Sequence, residues 1–515
     1  MSTPASIVPN ASIDTPTAET ATSNSPLRFV TAASLFDGHD AAINIMRRLI
    51  QSQGAEVVHL GHNRSVEDVV RAALQEDADG IALSSYQGGH VEYFKYMVDM
   101  LKERGASHIK VFGGGGGTIT PEEIRELQAY GVERIYHPND GMHMGLVAMI
   151  EDVVRRATHA RKPDEAAPQS ADIDDEISIG HMLSAIEEGL LDETQLAHLR
   201  KQWQLAGGKT PVVGITGTGG AGKSSVTDEL LNRFLASFPE MRLAVISVDP
   251  TRRRTGGALL GDRIRMNSLR SPRVYMRSMA TRRQHAATNT VLKDCIGFLK
   301  GLGYDLVIVE TAGIGQSDSE IVDLVDFPMY VMTSDFGAPS QLEKIDMLDY
   351  AELVVLNKFD KRGAEDALRD VRKQWKRNRV AFQTKDEDVP VYPTIASQFN
   401  DPGISWMFAN LCRLLREKLS LPAEKWSPEI DTSLKEPRAT VLIPGARVRY
   451  LAEIAEQGRA INASIDRQSE AANRAQAYWL SLQDIGDAKL PKQLDLYDAN
   501  ALLPSPVGRG TEGEG

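Results

Sequence analysis

At 515 residues the chain exceeds what one compact core organises, so two or three domains are expected. Apolar content of 42% and charged content of 25% are ordinary for a globular protein, and a net charge of -12 argues against general nucleic-acid binding. No apolar run approaches the roughly 18 residues needed to span a bilayer, so no membrane association is expected.

Residues 1–26 are rich in Ser, Thr, Pro and Ala, with no Lys or Arg and no apolar core of a signal peptide. They read as a disordered arm. Residues 27–155 alternate strand-like and helix-like segments. RFVTAASL precedes a helix from about Ala41 to Ser52, EVVHLG precedes SVEDVVRAALQED, and GIALSSY precedes HVEYFKYMVDMLKERG. IKVFGGGGG precedes TPEEIRELQAYG, and ERIYHP precedes MGLVAMIEDVVRRA. Five such units with short polar breaks predict an α/β domain with a parallel, doubly wound, flavodoxin-like sheet. Thr120 followed by Pro121 and two acids is a helix start.

Residues 156–210 read as a linker with short helices, the second of its parts running from about Ile179 to Gln204. A second α/β unit opens at Pro211 and runs to about Leu421, with strands LAVISVD, YDLVIVET, FPMYVMTS and LVVLNK. Residues 430–485 read as an amphipathic helical segment, and 486–515 as a disordered tail. Cys295 and Cys412 sit in apolar helical patterns. Buried free thiols are expected, which suits a cytoplasmic location.

GTGGAGKS, Gly217 to Ser224, matches the phosphate-binding pattern G-x-x-x-x-G-K-[ST] in full. It follows the strand VVGIT and precedes the helix SSVTDELLNRFL, the context the motif requires. Backbone N–H groups from Gly219 to Ser225, that is Gly219, Gly220, Ala221, Gly222, Lys223, Ser224 and Ser225, would cradle phosphates at a helix N-terminus. Lys223 would reach the β- and γ-phosphates and Ser224 would bind Mg²⁺. NKFD, Asn357 to Asp360, follows another strand. Asp360 can accept from guanine N1–H and the exocyclic amine, a pair adenine lacks, so Asn357, Lys358, Phe359 and Asp360 predict GTP. Ser397, beside Ala396, occupies the place of the last base-contacting loop. Acids at strand ends supply hard oxygen ligands for Mg²⁺: Asp249, then Asp262 with Arg265 near the phosphates, and Glu310 with Thr311. For Asp262 the alternative is a helix cap or loop role. Lys223 and Glu310 are the expected catalytic residues. Gly313 is followed by Ile314, with Gln316 two later, where Ras-like GTPases place Gln directly after Gly. Slow or partner-dependent hydrolysis is expected and no water-activating base is assigned. The basic stretch Ser271 to Asn289, with Arg273, Arg277, Arg282 and Arg283, reads as a switch or as a solvated loop.

FDGHD places Asp37 and His39 in the first loop of the first sheet. Imidazole ligates transition metals well and Asp37 can hold its second nitrogen. From the residues alone, transition-metal ligation by His39 stands beside an N-cap or loop role. Ser84 and Tyr86 in SSYQGG, and Gly113 to Gly117, lie on the same edge. The glycines strip it of side chains, so a large flat group can approach the backbone.

D-x-H, then S-x-[LY], then GG resembles the cobalamin-binding domains of mutases and methionine synthase. The resemblance implies that His39 binds cobalt from below, and that the cofactor's dimethylbenzimidazole tail lies beside Ser84, Tyr86, Gly114 and Gly115. Ala42 stands where the family usually has Gly. The second unit is similar to the GTPase chaperones of methylmalonyl-CoA mutase, through GTGGAGKS, SVDP…GGALLGDRIRM, VETAGIGQSD and NKFD. The order of parts, continuing into VLIPGARVRYLAEIA, resembles the fused isobutyryl-CoA mutase family. That resemblance covers about residues 27–485. It implies adenosylcobalamin, GTP/GDP and Mg²⁺ as ligands, a homo-oligomer, and an acyl-CoA-binding barrel of a kind that needs on the order of 250 further residues. The expectation is a partner barrel subunit or a further C-terminal domain, with no mutase activity without it.

Two other readings are weighed. A receiver-like first domain with a GTPase output would need a phosphorylatable Asp at a strand end, and the third strand ends in LSSYQGG. A nickel-chaperone GTPase would need a His- or Cys-rich site, and the chain has two scattered cysteines and no His run.

Overall fold

The computed structural model describes residues 25–161, 170–252, 254–281, 285–311, 318–337, 339–437 and 450–492. The arm before residue 25 and the tail beyond 492 lie outside them, as do Arg282, Arg283, Gly313, Ile314 and Gln316.

The first domain is built from β1 (Arg28–Ser34), α1 (Asp40–Ser52), β2 (Glu56–Arg64), α2 (Val66–Gln75), β3 (Gly80–Ser84) and α3 (His90–Glu103). It continues with β4 (Lys110–Gly114), α4 (Pro121–Tyr130), β5 (Arg134–Tyr136), α5 (Pro138–Met144) and α6 (Leu146–Ala160). All its strands are parallel, in the order β5-β4-β3-β1-β2, which is the expected flavodoxin-like winding. β1 is buried along its whole length, as a central strand covered on both faces must be. α4 starts on the capping box that Thr120 and Glu123 form reciprocally.

α7 (Glu176–Glu188) and α8 (Glu193–Gly207) fall in the expected linker, yet they supply core. Ile179, Met182, Leu183, Ile186 and Trp203 are buried in the apolar cluster on one face of the second sheet. That sheet contains β6 (Val212–Gly217), β7 (Leu243–Asp249), β9 (Val274–Ala280), β10 (Leu306–Thr311), β11 (Phe327–Thr333), β12 (Leu353–Asn357) and β13 (Val391–Thr394). The order β13-β12-β11-β6-β10-β7-β9 places β6 centrally. α9 (Lys223–Ser237) follows β6, and α10 (His285–Leu302) precedes β10. Separately, residues 440–515 form a second compact unit whose described part is dominated by an exposed helix, Tyr450–Asp484. Among the described residues no helix is long and apolar enough to cross a membrane.

One strand crosses over. β8 (Ala258–Leu260) comes from the second domain's sequence but pairs parallel with β2, as the outer strand of the first sheet. Gly257 makes the approach possible: a Cβ there would lie 2.2 Å from the Gln51 carbonyl oxygen of α1. Beyond β8 a buried ionic cluster continues the joint. The Glu76 carboxylate at the end of α2 accepts from Arg263 Nε at 2.6 Å and from Ser278 Oγ at 2.8 Å. Glu187 of α7 accepts from Arg28 of β1 at 3.1 Å and from Arg277 of β9 at 2.8 Å.

This corrects the reading of Ser271 to Asn289 as a switch or solvated loop over its described first half. Residues 274–280 are a fully buried strand, and Arg277 is 1% exposed. Its charge is tolerated because Glu187 faces it, not because it meets water. Arg273 is likewise held, donating to the Phe238 and Leu235 carbonyls at 2.8 and 2.9 Å.

Candidate functional site

Each parallel sheet gathers its functional loops at the carboxyl ends of its strands, where the strand order reverses. In the first sheet that point lies between β1 and β3. The loop after β1 makes a left-handed turn at Phe36 and brings Asp37 inward, its side chain fully buried. Asp37 Oδ2 accepts the Tyr86 N–H at 2.7 Å, and Oδ1 accepts the His39 N–H at 2.8 Å and lies 2.9 Å from His39 Nδ1. A proton on Nδ1 satisfies that contact and leaves the Nε2 lone pair free. His39 occupies the N-cap position of α1, but its side chain makes no capping hydrogen bond, and it is 74% exposed. The side chain therefore does not serve the capping role and is left available at the surface.

Behind this histidine is a cavity of about 310 Å³, mostly apolar, reached between α1, β3, β4 and α5. Ala42, Ser84, Tyr86, Gly114 and Gly115 all line it, together with Met142 and Met149. Ser84 Oγ is buried with no hydrogen-bond partner among the described residues. An orphaned hydroxyl facing an apolar cavity fits a flat heteroaromatic ligand with an acceptor nitrogen. The glycine run does two jobs rather than one. A Cβ on Gly115 would lie 1.9 Å from the Ser85 carbonyl oxygen, and one on Gly113 would lie 2.4 Å from Phe94, so these glycines are required by the protein's own packing. Gly114 meets nothing closer than 3.5 Å, and it is there that the lack of a side chain serves the cavity.

In the second sheet the loop after β6 turns through Gly222, where a φ of +92° and the 2.6 Å at which a Cβ would meet Asn357 Nδ2 both call for glycine. α9 begins at Lys223, so the N–H groups of its first turn open toward the loop. Gly219 and Gly220 are exposed and Ala221 is buried. Lys223 Nζ folds over the loop onto the carbonyls of Gly217 and Thr218, at 3.1 and 3.3 Å. Thr218 Oγ1 is buried without a partner among the described residues, a phosphate-loop donor that the motif itself does not announce.

Of the oxygen-bearing residues expected near the phosphates, the structure brings Ser224, Asp249, Asp262 and Glu310 together and sets Thr311 apart. Ser224 Oγ lies 2.7 Å from Glu310 Oε1 and 3.1 Å from Asp262 Oδ1. Asp262 therefore lies beside Ser224 and Glu310 rather than serving as a helix cap. Asp249 faces Asp262 and accepts from the Gly261 N–H. Thr227, four residues after Lys223 on α9, donates to Glu310 at 2.9 Å, and Ser247 hydrogen-bonds Asp262. Helical spacing could have signalled Thr227; nothing local signalled Ser247. Thr311 is the exception: its hydroxyl donates to Thr216 of β6 at 2.9 Å, on the opposite side of β10 from Glu310. Burial, then the Asp262 carboxylate, push the Glu310 carboxyl up to about 8, against the Ser224 and Thr227 hydrogen bonds and Lys223. Burial and Asp262 likewise push Asp249 up. Crowded hard oxygens that resist ionisation together fit a divalent cation of the Mg²⁺ type. Arg265 is exposed, beyond this set.

The NKFD loop closes the same crevice. Asn357 ties it to both neighbours: Nδ2 donates to the Ala221 carbonyl at 2.8 Å, and Oδ1 accepts the Ala396 N–H at 3.0 Å. Lys358, in a left-handed backbone conformation, donates to the Gly220 carbonyl at 2.8 Å. Phe359 packs against the apolar core, while Asp360 and Ser397 are exposed at the rim.

Residues 27–143 match the family described as "B12 binding domain", and residues 180–416 match "Methylmalonyl Co-A mutase-associated GTPase MeaB". The chain is 51% identical to a fused isobutyryl-CoA mutase of Geobacillus kaustophilus, over 87% of this chain and 42% of that protein. It is 53% identical to the fused isobutyryl-CoA mutase of Cupriavidus metallidurans, over 87% of this chain and 41% of that protein. For that of Nocardia farcinica the figures are 49%, 90% and 43%. The chain thus spans less than half the length of these relatives. It is a B12-binding domain joined to a MeaB-type GTPase domain, and it matches the N-terminal portion of the fused isobutyryl-CoA mutases.

Proposed function

We propose that this chain is the cofactor-handling part of an adenosylcobalamin-dependent acyl-CoA mutase, in which GTP hydrolysis gates loading and protection of the cofactor. The observation that carries the reading is the His39–Asp37 pair, its Nε2 left free above an apolar cavity that contains the unpartnered Ser84 hydroxyl. His39 would hold cobalt through Nε2, with Asp37 fixing tautomer and ring orientation. Ser84, Tyr86, Gly114 and Gly115 would bind the dimethylbenzimidazole tail. When bound, adenosylcobalamin supplies the radical that starts carbon-skeleton rearrangement. In the second domain Ser224, Asp249, Asp262 and Glu310 would hold Mg²⁺, Lys223 and the α9 N–H groups would hold the phosphates, and Asn357, Lys358 and Asp360 would read guanine. The substrate would be an acyl-CoA of the isobutyryl/n-butyryl class, bound by a barrel supplied by a partner subunit or a further domain. A homo-oligomer in the cytoplasm suits this role.

The test is an absorbance titration of the chain with adenosylcobalamin, with and without GTP and Mg²⁺. Saturable binding is expected, with a histidine-ligated spectrum that His39→Ala abolishes. An unchanged spectrum in His39→Ala refutes ligation; no binding in any state refutes the reading as a whole.

A further inference from the structure

Away from both crevices, three ligand-type side chains converge where the first domain meets α7. Asp77 follows the end of α2, His108 sits in the turn before β4, and His181 lies on the second turn of α7. One ligand atom from each lies within 4.8 Å of the others. Asp77 Oδ1 is 3.0 Å from His181 Nδ1, and the two imidazole centroids are 5.8 Å apart. We propose that Asp77, His108 and His181 form a binding site for a borderline divalent transition metal of the Zn²⁺ class, which staples α7 to the first domain.

The backbone is arranged to bring these groups together. Asp77 adopts a left-handed conformation, φ +49°, which Asp tolerates better than most residues. Gly180 lets α7 press against α2: a Cβ there would lie 2.8 Å from the Leu74 carbonyl oxygen and 3.4 Å from Asp77 Cβ. The next residue is His181. One imidazolium would suffice as an ion-pair partner for one carboxylate, and a second imidazole beside it adds charge repulsion if both are protonated. Two neutral imidazoles and a carboxylate are instead the N₂O set that zinc favours. Bonds of about 2.0–2.2 Å in tetrahedral geometry separate ligand atoms by about 3.3–3.6 Å, so the set closes by a ring shift on the order of 1 Å.

The surroundings meet the remaining requirements. The Ser184 hydroxyl bonds Asp77 and also accepts from Arg277 Nη2 at 2.8 Å, an outer-shell contact that orients the carboxylate. The His181 side chain is 42% exposed, which leaves an entry path and room for a water as fourth ligand. A metal here would fix the helix whose Glu187 pairs with both Arg28 and Arg277.

The full chain is first saturated with GDP and Mg²⁺, so that the Asp249, Asp262 and Glu310 carboxylates near Ser224 are occupied, and then equilibrated with Zn²⁺ by dialysis and its metal content measured. One retained Zn²⁺ per chain is expected in the parent and in His39→Ala. Affinity is expected to fall on the order of 100-fold in both His108→Ala and His181→Ala. Zn²⁺ should also raise the thermal midpoint of the parent and of His39→Ala but not of those two variants. No stoichiometric zinc in the parent, or zinc retention by His108→Ala and His181→Ala equal to that of the parent, overturns the site. Neither outcome touches the cobalamin or nucleotide reading, which uses none of these three residues.

Discussion

Removing the charge of Arg263 should uncouple the two domains. Glu76 is fully buried, and Arg263, 5% exposed, donates its closest ionic contact at 2.6 Å while also binding the Met276 carbonyl. In Arg263→Met the stem volume is roughly kept, but the Glu76 carboxylate is left with Ser278 and with Arg28 at 3.8 Å. Breaking a buried pair by removing one partner costs about 3–5 kcal/mol; with Arg28 and Ser278 still present, about 3 kcal/mol is expected. Glu76→Met should cost a similar amount, because it leaves Arg263 uncompensated. The double variant should cost clearly less than the sum, since a matched apolar pair removes both uncompensated charges. The cycle is measured by urea unfolding, with hydrogen exchange following amides of β2 and β9 separately, because a multidomain chain need not unfold in one step. The single variants should loosen both strands together. A loss of less than about 1 kcal/mol in Arg263→Met, or strictly additive variants, would refute the claim that this pair ties the domains.

Gly114→Ala should fold normally and weaken cobalamin binding about tenfold or more, whereas Gly115→Ala should lower the thermal midpoint with or without ligand; the reverse order in melting and titration experiments would put the ligand elsewhere. Because the Glu310 carboxyl is raised to about 8, well above its unfolded value, the metal-free fold is most stable below about pH 4.5 with respect to this group and loses that contribution as pH rises through 8. Mg²⁺ must displace that proton, so Mg²⁺·GDP affinity should rise by about tenfold per pH unit between pH 6 and 8. Calorimetry in two buffers of different ionisation enthalpy checks the proton release, and a pH-independent affinity would contradict it. Lys223→Ala should abolish GTP binding in a fluorescent-nucleotide titration while sparing cobalamin binding; equal loss of both would contradict two separate sites.

Much of the candidate site is legible in the chain because its parts are local. Gly217 to Ser224 carries a turn, a helix start and a cation within eight residues, and Asn357 to Asp360 does the same for the base. Asp37 and His39 are two residues apart and meet each other directly. What escapes notice depends on distant partners. Arg277 in VYMRSMA reads as exposed until Glu187, 90 residues earlier, faces it. β8 is three residues long, too short for any periodicity, and becomes a strand only because β2 offers it an edge. The helices of 176–207 carry core residues whose counterparts lie on β9, β10 and α10, so a local reading sees only a spacer.

β8 also fixes a length. Surface loops ordinarily accept added residues at little cost. The stretch from Asp249 to Asp262 is pinned three times over: it leaves the second sheet at Asp249, pairs Ala258 with Glu56 in the first, and returns Asp262 to Ser224. A single inserted residue before Ala258 would turn Ala258 and Leu260 out of the core or carry Asp262 past its hydroxyl partner. Among homologues this segment should therefore vary in composition at its exposed arginines while keeping its residue count, an invariance set by two domains at once.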